Sequence, residues 1–179
     1  MKKTPKKIII TGTSGSGKTT VGQLLSTKTG IACTDLDDLF WLPEWKPRDK
    51  TDFEKKILSL ATGDEWIISG NYSDLSHITW PKADMIIWLD FPLPTLLWRT
   101  FKRSLIRSIT KEPCCGGNFE SFSRFFSKQT IFYWVLRSYH RRKKNYGKYF
   151  SNPIGKPHEL VHLKTSHEVH QFVESFHCS

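Results

Sequence analysis

The sequence predicts an α/β protein built on a parallel sheet flanked by helices. Three observations carry that expectation. A run of β-branched residues, Ile8, Ile9 and Ile10, leads into a glycine-rich loop and then into a helical pattern. Strand and helix patterns go on alternating along the chain. Five strand candidates recur, at 8–10, 31–34, 66–69, 84–90 and 158–163. At 179 residues the chain is read as a single domain, 1–179, long enough to bury a sizeable core.

The first unit is the most informative. Gly12-Thr13-Ser14-Gly15-Ser16-Gly17-Lys18-Thr19 fits the pattern G-x-x-x-x-G-K-[ST] at every fixed position, and Thr20 follows. Its glycines let successive N–H groups turn into one concavity that suits a polyphosphate. The helix that follows adds the positive end of its dipole. Lys18 is expected at the β- and γ-phosphates of ATP, and Thr19 as a ligand of Mg²⁺. Val21, Leu24 and Leu25 mark the apolar face of this helix, and Gly30 marks its end.

The second strand ends in Asp35-Leu36-Asp37-Asp38. Carboxylates past the carboxyl end of a parallel strand lie where doubly wound folds hold ligands. Asp37 is a candidate to orient an acceptor hydroxyl or a metal-bound water. The competing reading is an acidic loop that caps the next segment. A proline-rich loop at 43–50 carries Arg48, either an acceptor contact or an exposed loop arginine. Thr51 and Glu54 have capping-box spacing before the apolar positions Phe53, Ile57, Leu58 and Ala61, and Gly63 stops that helix.

The third strand, 66–69, runs into Gly70-Asn71-Tyr72-Ser73, where Asn71 or Tyr72 meets an acceptor or simply forms a turn. The fourth strand is broken by Phe91-Pro92, and Pro92 or Pro94 opens a helix. Arg99, Arg103 and Arg107 share one face of that helix, either solvated or turned toward phosphate. Residues 109–118 lack apolar period and read as a mobile loop. Residues 119–144 read as a helix marked by Phe122, Phe125, Phe126, Trp134 and Leu136, with a strongly basic tail. Thr165 and Glu168 give a second capping-box spacing before the last helix.

Charge is unevenly placed. Residues 99–148 hold thirteen Lys and Arg against Glu112 and Glu120, whereas the remainder holds fourteen against fifteen acids. The whole net charge of +10 therefore sits in one segment, which attracts phosphate on a nucleotide or along a nucleic acid. No apolar run is long enough to cross a bilayer, and the basic start leads straight into the glycine-rich loop, so the chain is read as cytoplasmic. Cys33, Cys114, Cys115 and Cys178 form neither a disulfide framework nor a C-x-x-C pair. The adjacent Cys114 and Cys115 are read as free thiols. The histidines from His158 to His177 match no ligand spacing and are read as surface residues.

These segments resemble the small adenylate-kinase-like phosphate-loop proteins often labelled DNA topology modulation proteins. The matching stretches are GTSGSGKTT at 12–20, DLDDLFW at 35–41, WIISGNYS at 66–73 and ADMIIWLDFPLPTLLWRTFKRSL at 83–105. The resemblance implies a three-layer P-loop NTPase fold of the nucleoside-monophosphate-kinase type, with strand order 2-3-1-4-5. It implies ATP in the loop and an acceptor between the segment after the second strand and the GNYS turn. It further implies a basic lid at about 103–148, with Arg103, Arg137, Arg141 and Arg142 as transition-state contacts. Two departures stand out. Adenylate kinases end the third strand in Asp-Gly-Phe-Pro-Arg. Here Ser69 stands in place of the acid of the magnesium shell and Ser73 in place of the arginine that grips the acceptor phosphate. AMP is thereby disfavoured as acceptor, and magnesium duty shifts toward Asp37 or Asp90. The lid also lacks the four cysteine-type zinc ligands of many bacterial adenylate kinases.

The expected activity is ATP- and Mg²⁺-dependent phosphoryl transfer to an unidentified, small acceptor. Lys18, Asp37, Arg103, Arg137 and Arg141 are the catalytic candidates. The rival reading is a nucleotide-regulated nucleic-acid binder that uses residues 99–148, with Trp134, Tyr139 and Tyr146 stacking on bases. A weaker third reading is an NTPase whose acceptor is water.

Overall fold

The computed structural model describes residues 4–70, 72–120, 131–152 and 159–176. Five strands form one parallel sheet: β1 (Lys7–Gly12), β2 (Cys33–Asp35), β3 (Trp66–Ser69), β4 (Met85–Leu89) and β5 (Glu159–Leu163). Their spatial order is β2-β3-β1-β4-β5, the expected 2-3-1-4-5. β1 lies at the centre, with Ile9 beside Ile68 on one side and beside Ile86 on the other.

Period two sends alternate residues of each strand to opposite faces, and both faces are covered. Ile8, Ile10, Ile67 and Ile87 enter one core with Val21 and Leu25 of α1 (Lys18–Thr29). Ile9, Ile68 and Ile86 enter the other with Phe53 and Ile57 of α3 (Lys50–Thr62). Nine of these ten isoleucine, valine and leucine side chains are at most 2% exposed. Each stabilises the fold by roughly 1.5–3 kcal/mol relative to exposure. Leu24 and Leu58, expected on apolar faces, are turned outward at 46% and 43% exposure. No helix among the described residues is long and apolar enough to cross a membrane.

Several boundaries differ from the sequence reading for identifiable reasons. The cap of α3 is Asp49, whose side chain accepts from Thr51 N and Asp52 N, so the Thr51–Glu54 capping box is not the one used. Thr165 and Glu168 do form a full capping box, at the start of α7 (Ser166–Ser175). After the single-turn α4 (Ser76–Thr79), α5 (Leu93–Thr110) outlasts its apolar period. Residues expected as a mobile loop instead form a hairpin in which Pro113–Cys114 pairs with Asn118–Phe119. Phe119 therefore does not begin a helix. Among the described residues that helix is α6, Ile131–Ser151. Leu136 on it is exposed, whereas Val135, Ser138 and Tyr146 face inward. Asn71, Phe122, Phe125, Phe126 and Cys178 lie outside the described residues, as does the side chain of Trp134.

The hairpin is seated by Asn118, which is 4% exposed. Its Nδ2 donates to Leu42 O and Cys115 O, and its Oδ1 accepts from Trp45 N. One side chain thus joins the hairpin to the segment after α2 (Leu36–Phe40). That segment borders the carboxyl ends of the strands, where the glycine-rich loop, Asp35, Asp37 and Tyr72 meet.

Candidate functional site

The glycine-rich loop leaves β1 at Gly12 and closes on α1. Ser16 N donates to Thr13 O, and Gly17, with left-handed backbone, is the cap from which Val21 N takes its bond. The first turn of α1 has no acidic residue, so its positive end is not offset by its own side chains. α5 lies against the loop: a Cβ on Gly15 would stand 2.5 Å from Thr100 Oγ1 and 2.7 Å from Leu96 O. Close approach, as well as the positive φ, requires glycine there.

Polar atoms gather at this contact. Arg103 Nη2 donates to Ser14 Oγ at 3.5 Å. Ser16 Oγ, Thr100 Oγ1, Arg103 Nε and Ser104 Oγ are buried with no hydrogen-bond partner among the described residues. Unmet donors beside a cradle of backbone amides suit the oxygens of a polyphosphate. Lys18 Nζ donates to Thr13 O at 3.4 Å. Burial pushes Lys18 down to about 8, against the opposing pull of Asp37 and Asp35; Arg142 and Arg103 lower it further. A buried ammonium without full compensation favours an incoming anion. Thr20, next along α1, is exposed.

The acidic side is built by β2 and β3. Thr19 Oγ1 donates to Asp35 Oδ2 at 2.5 Å, and Asp37 N donates to Asp35 Oδ1, which makes Asp35 the cap of α2. Burial raises the Asp35 carboxyl above its ordinary value. Thr19 and Asp35, one hydroxyl and one carboxylate in contact, are hard oxygen donors of the kind Mg²⁺ takes. Tyr72 donates its hydroxyl hydrogen to Asp37 Oδ1 at 2.8 Å. Its ring packs on Phe40 and Phe53, and burial, with Asp37 second, pushes its own hydroxyl far above the usual phenol range.

The structure brings some candidate arginines to this place and leaves others outside. Arg103 meets the loop. Arg142 is half-buried on α6 and shares the electrostatic field of Lys18, Asp37 and Tyr72. Arg137 and Arg141 are exposed on the same helix. Arg99 donates to Ser166 Oγ and stacks on Phe91, and Arg107 pairs with Glu120, so the expected stripe divides three ways. Arg48 is held by Leu39 O and Asp52. Asp90, an alternative metal residue, is paired with His162 and Lys143. Ser69 is fully buried, and its Oγ has no hydrogen-bond partner among the described residues. The sequence alone assigns Asp35 no separate role. Its signal is the Asp-x-Asp spacing at a strand end, where the first acid meets Thr19 and the second meets Tyr72.

A central parallel sheet, a phosphate loop after β1 and an acidic pair after β2 define a kinase-like phosphate-loop fold. The chain belongs to the AAA domain family, whose pattern matches residues 8–113. It is 30% identical over 125 residues to a shikimate kinase from Persephonella marina (strain DSM 14350 / EX-H1), a match that spans 60% of this chain and 76% of that one. It is 25% identical over 129 residues to the uncharacterized protein YqaC of Bacillus subtilis (strain 168), spanning 71% and 72%. In fold it is similar to a gluconokinase from Sinorhizobium meliloti 1021, with TM-score 0.55, 17% identity and coverage of 97% and 90%. A sugar kinase from Janibacter sp. HTCC2649 aligns with TM-score 0.50, 19% identity and coverage of 93% and 89%.

Proposed function

We propose that the protein is an ATP- and Mg²⁺-dependent kinase that transfers the γ-phosphoryl group of ATP to a hydroxyl of a small acceptor. The observation that carries this reading is the placement of Asp37. It is held by Tyr72 on the acidic side of the site, in the field of Lys18, and two residues beyond Asp35 of the Thr19–Asp35 pair. Relatives named as a shikimate kinase, a gluconokinase and a sugar kinase support a small acceptor.

Thr19 and Asp35 would hold Mg²⁺, which supplies charge neutralisation on the phosphates. Gly12 to Thr20 would cradle the polyphosphate through backbone amides, with Lys18 supplying a buried positive charge. Asp37 accepts the hydrogen bond of the acceptor hydroxyl and orients its oxygen for in-line attack. Tyr72 fixes the carboxylate's rotamer. Arg103 and Arg142, both in the field of Lys18, would offset charge that develops as the phosphoryl group moves. Arg137 and Arg141 would join only by a movement of α6. Ser69, in place of an acid, and the Thr19–Asp35 contact together support a metal at the β2 end.

The test is ADP release from MgATP with separate panels of hydroxylated metabolites, nucleosides and nucleoside monophosphates. A small molecule that stimulates release in the native protein, and not in Asp37→Asn, supports the reading. Equal stimulation of both proteins would overturn the role of Asp37.

A second reading rests on the outer face of α6. Arg137, Arg141, Lys144 and Lys148 recur at helical spacing and are exposed, a strip suited to a nucleic-acid backbone. Tyr146, one of the expected stacking residues, is buried against Trp80 and Trp88 and is not offered to bases. Oligonucleotide binding that weakens steeply with salt and is lost on neutralising the strip would favour this reading. Salt-insensitive or absent binding would remove it.

A further inference from the structure

The hairpin at 113–119 brings two adjacent thiols to the border between the basic and acidic halves of the site. Cys114 is buried and Cys115 is half-buried, and their side chains are hydrogen-bonded to each other. Cys115 has positive φ (45°), and Gly116 and Gly117 continue the left-handed path. A Cβ on Gly116 would stand 2.1 Å from Trp41 O, so the turn sits directly on the segment after α2. Gly116 N donates to Asp38 Oδ1, and Cys115 O accepts from Asn118 Nδ2. The backbone around the two cysteines is therefore tied to the residue next to Asp37.

We propose that Cys114 and Cys115 are a site of reversible oxidation, closing to a vicinal disulfide in the presence of a hydroperoxide. Cys114 is the nucleophile. The hydrogen bond from Cys115 and then the charge of Arg107 draw its thiol below the ordinary value, with Arg103 adding to this and burial and Glu120 opposing. The Cys115 thiol is pushed far up by its bond to Cys114, by burial and by Asp37 and Asp35. Cys114 thiolate attacks one peroxide oxygen, the O–O bond breaks, and the departing oxygen takes a proton as water or alcohol. Cys114 is then a sulfenic acid. Cys115 sulfur attacks Cys114 sulfur, the S–O bond breaks, and water leaves with the Cys115 proton. Both sulfurs are oxidised and the peroxide is reduced.

Adjacent Cα atoms are about 3.8 Å apart, below the roughly 4.4–6.8 Å that relaxed disulfides span. The product is strained and easily reduced, as a regulatory bond must be. Closing the ring turns the Cys114–Cys115 peptide and pulls on the Asp38 and Asn118 contacts. The acceptor side is disturbed while the phosphate loop is not touched. Cys33 does not compete: burial and Asp35 push its thiol up to about 11. The effect on turnover rests on the proposed kinase reading, but the oxidation itself does not.

The experiment uses full-length protein carrying Cys33→Ser and Cys178→Ser, treated with hydrogen peroxide and followed by intact mass. Loss of two hydrogens, reversed by dithiothreitol and mapped to the 114–115 peptide, is the expected result. Further substitution of Cys115→Ser should stop the reaction at a sulfenic acid that dimedone captures. Gain of oxygen without loss of hydrogens in the two-thiol protein, or no change, would overturn the site. The oxidised protein should bind ATP within twofold of the reduced form and lose at least tenfold in acceptor-dependent ADP release. Unchanged release in protein proven to be disulfide-bonded would overturn the functional consequence and leave the kinase reading standing.

Discussion

Tyr72 holds Asp37 from across the site: a phenol that follows β3 donates to a carboxylate that follows β2, at 2.8 Å. Neighbouring strands thus meet through a side-chain bond just past their carboxyl ends. A hydrogen bond to a charged group contributes about 1.5–3 kcal/mol. Tyr72→Phe should therefore lower kcat roughly tenfold to a hundredfold with the fold intact by circular dichroism. Asp37→Asn should cost more, about 10²–10⁴, as loss of a positioned base does. Steady-state kinetics with the identified acceptor decides, and a Tyr72→Phe enzyme with native kcat would detach Tyr72 from the chemistry.

Lys18, pushed down to about 8 by burial, should make ATP binding weaken at alkaline pH. Only the ammonium form attracts phosphate. ATP affinity should be flat below about pH 7 and fall as pH rises through 8, with proton uptake on binding near pH 8. Calorimetry in buffers of different ionisation enthalpy measures that uptake. The same depressed value means that the unfolded lysine, at 10.5, holds its proton longer than the folded one. Stability of the free protein from this group therefore rises with pH between about 8 and 10.5, and the cost of the buried charge is fully present below 8. Lys18→Met should remove that pH-dependent increment along with ATP binding.

On the proposed reading, Asp35 trades stability for metal binding. Its raised carboxyl means that the charged form is disfavoured in the fold, so its contribution is lost as pH rises through the folded value. Asp35→Asn keeps the oxygen that caps α2 and removes the charge. The free protein should melt roughly 2–4 °C higher, a shift of about 1 kcal/mol at this size, while Mg²⁺ dependence of ATP binding disappears. Thermal melts with and without MgATP report both effects, and a lowered melting point without ligand would show that the carboxylate is stabilising.

The arginines should separate by position. Arg103→Ala and Arg142→Ala should each lower kcat/KM by at least tenfold, whereas Arg141→Ala, on the exposed side of α6, should change it by less than threefold in the absence of helix movement. A large loss in Arg141→Ala with MgATP bound would be the kinetic sign that α6 rotates its outer face inward.

The sheet and the loop were legible because they rest on local rules. A β-branched run before G-x-x-x-x-G-K-[ST] fixes β1 and α1 together, and period two places Ile8 and Ile9 on opposite faces. The hairpin was not legible. Its order comes from Asn118, whose partners Leu42 and Trp45 lie far away in the chain, and no local periodicity reports such a contact. The same limit explains the arginines: helical spacing grouped Arg99, Arg103 and Arg107, but Ser166, Ser14 and Glu120 divided them. Asp49 displaced the Thr51–Glu54 cap because a residue two positions earlier reached the same amide first.

The strand order also sets a timetable for synthesis. β4, with five buried residues, finds β1 as soon as both have left the ribosome, yet its other edge waits for β5, made only after α5, the hairpin and α6. Until then the nascent chain carries an apolar strand with an open row of N–H and C=O groups, the arrangement that recruits other strands. A chain arrested before Glu159 should therefore bind a holdase chaperone that the released protein ignores. Vulnerability to aggregation belongs to the last stage of translation, when most side chains of the candidate site are already in place.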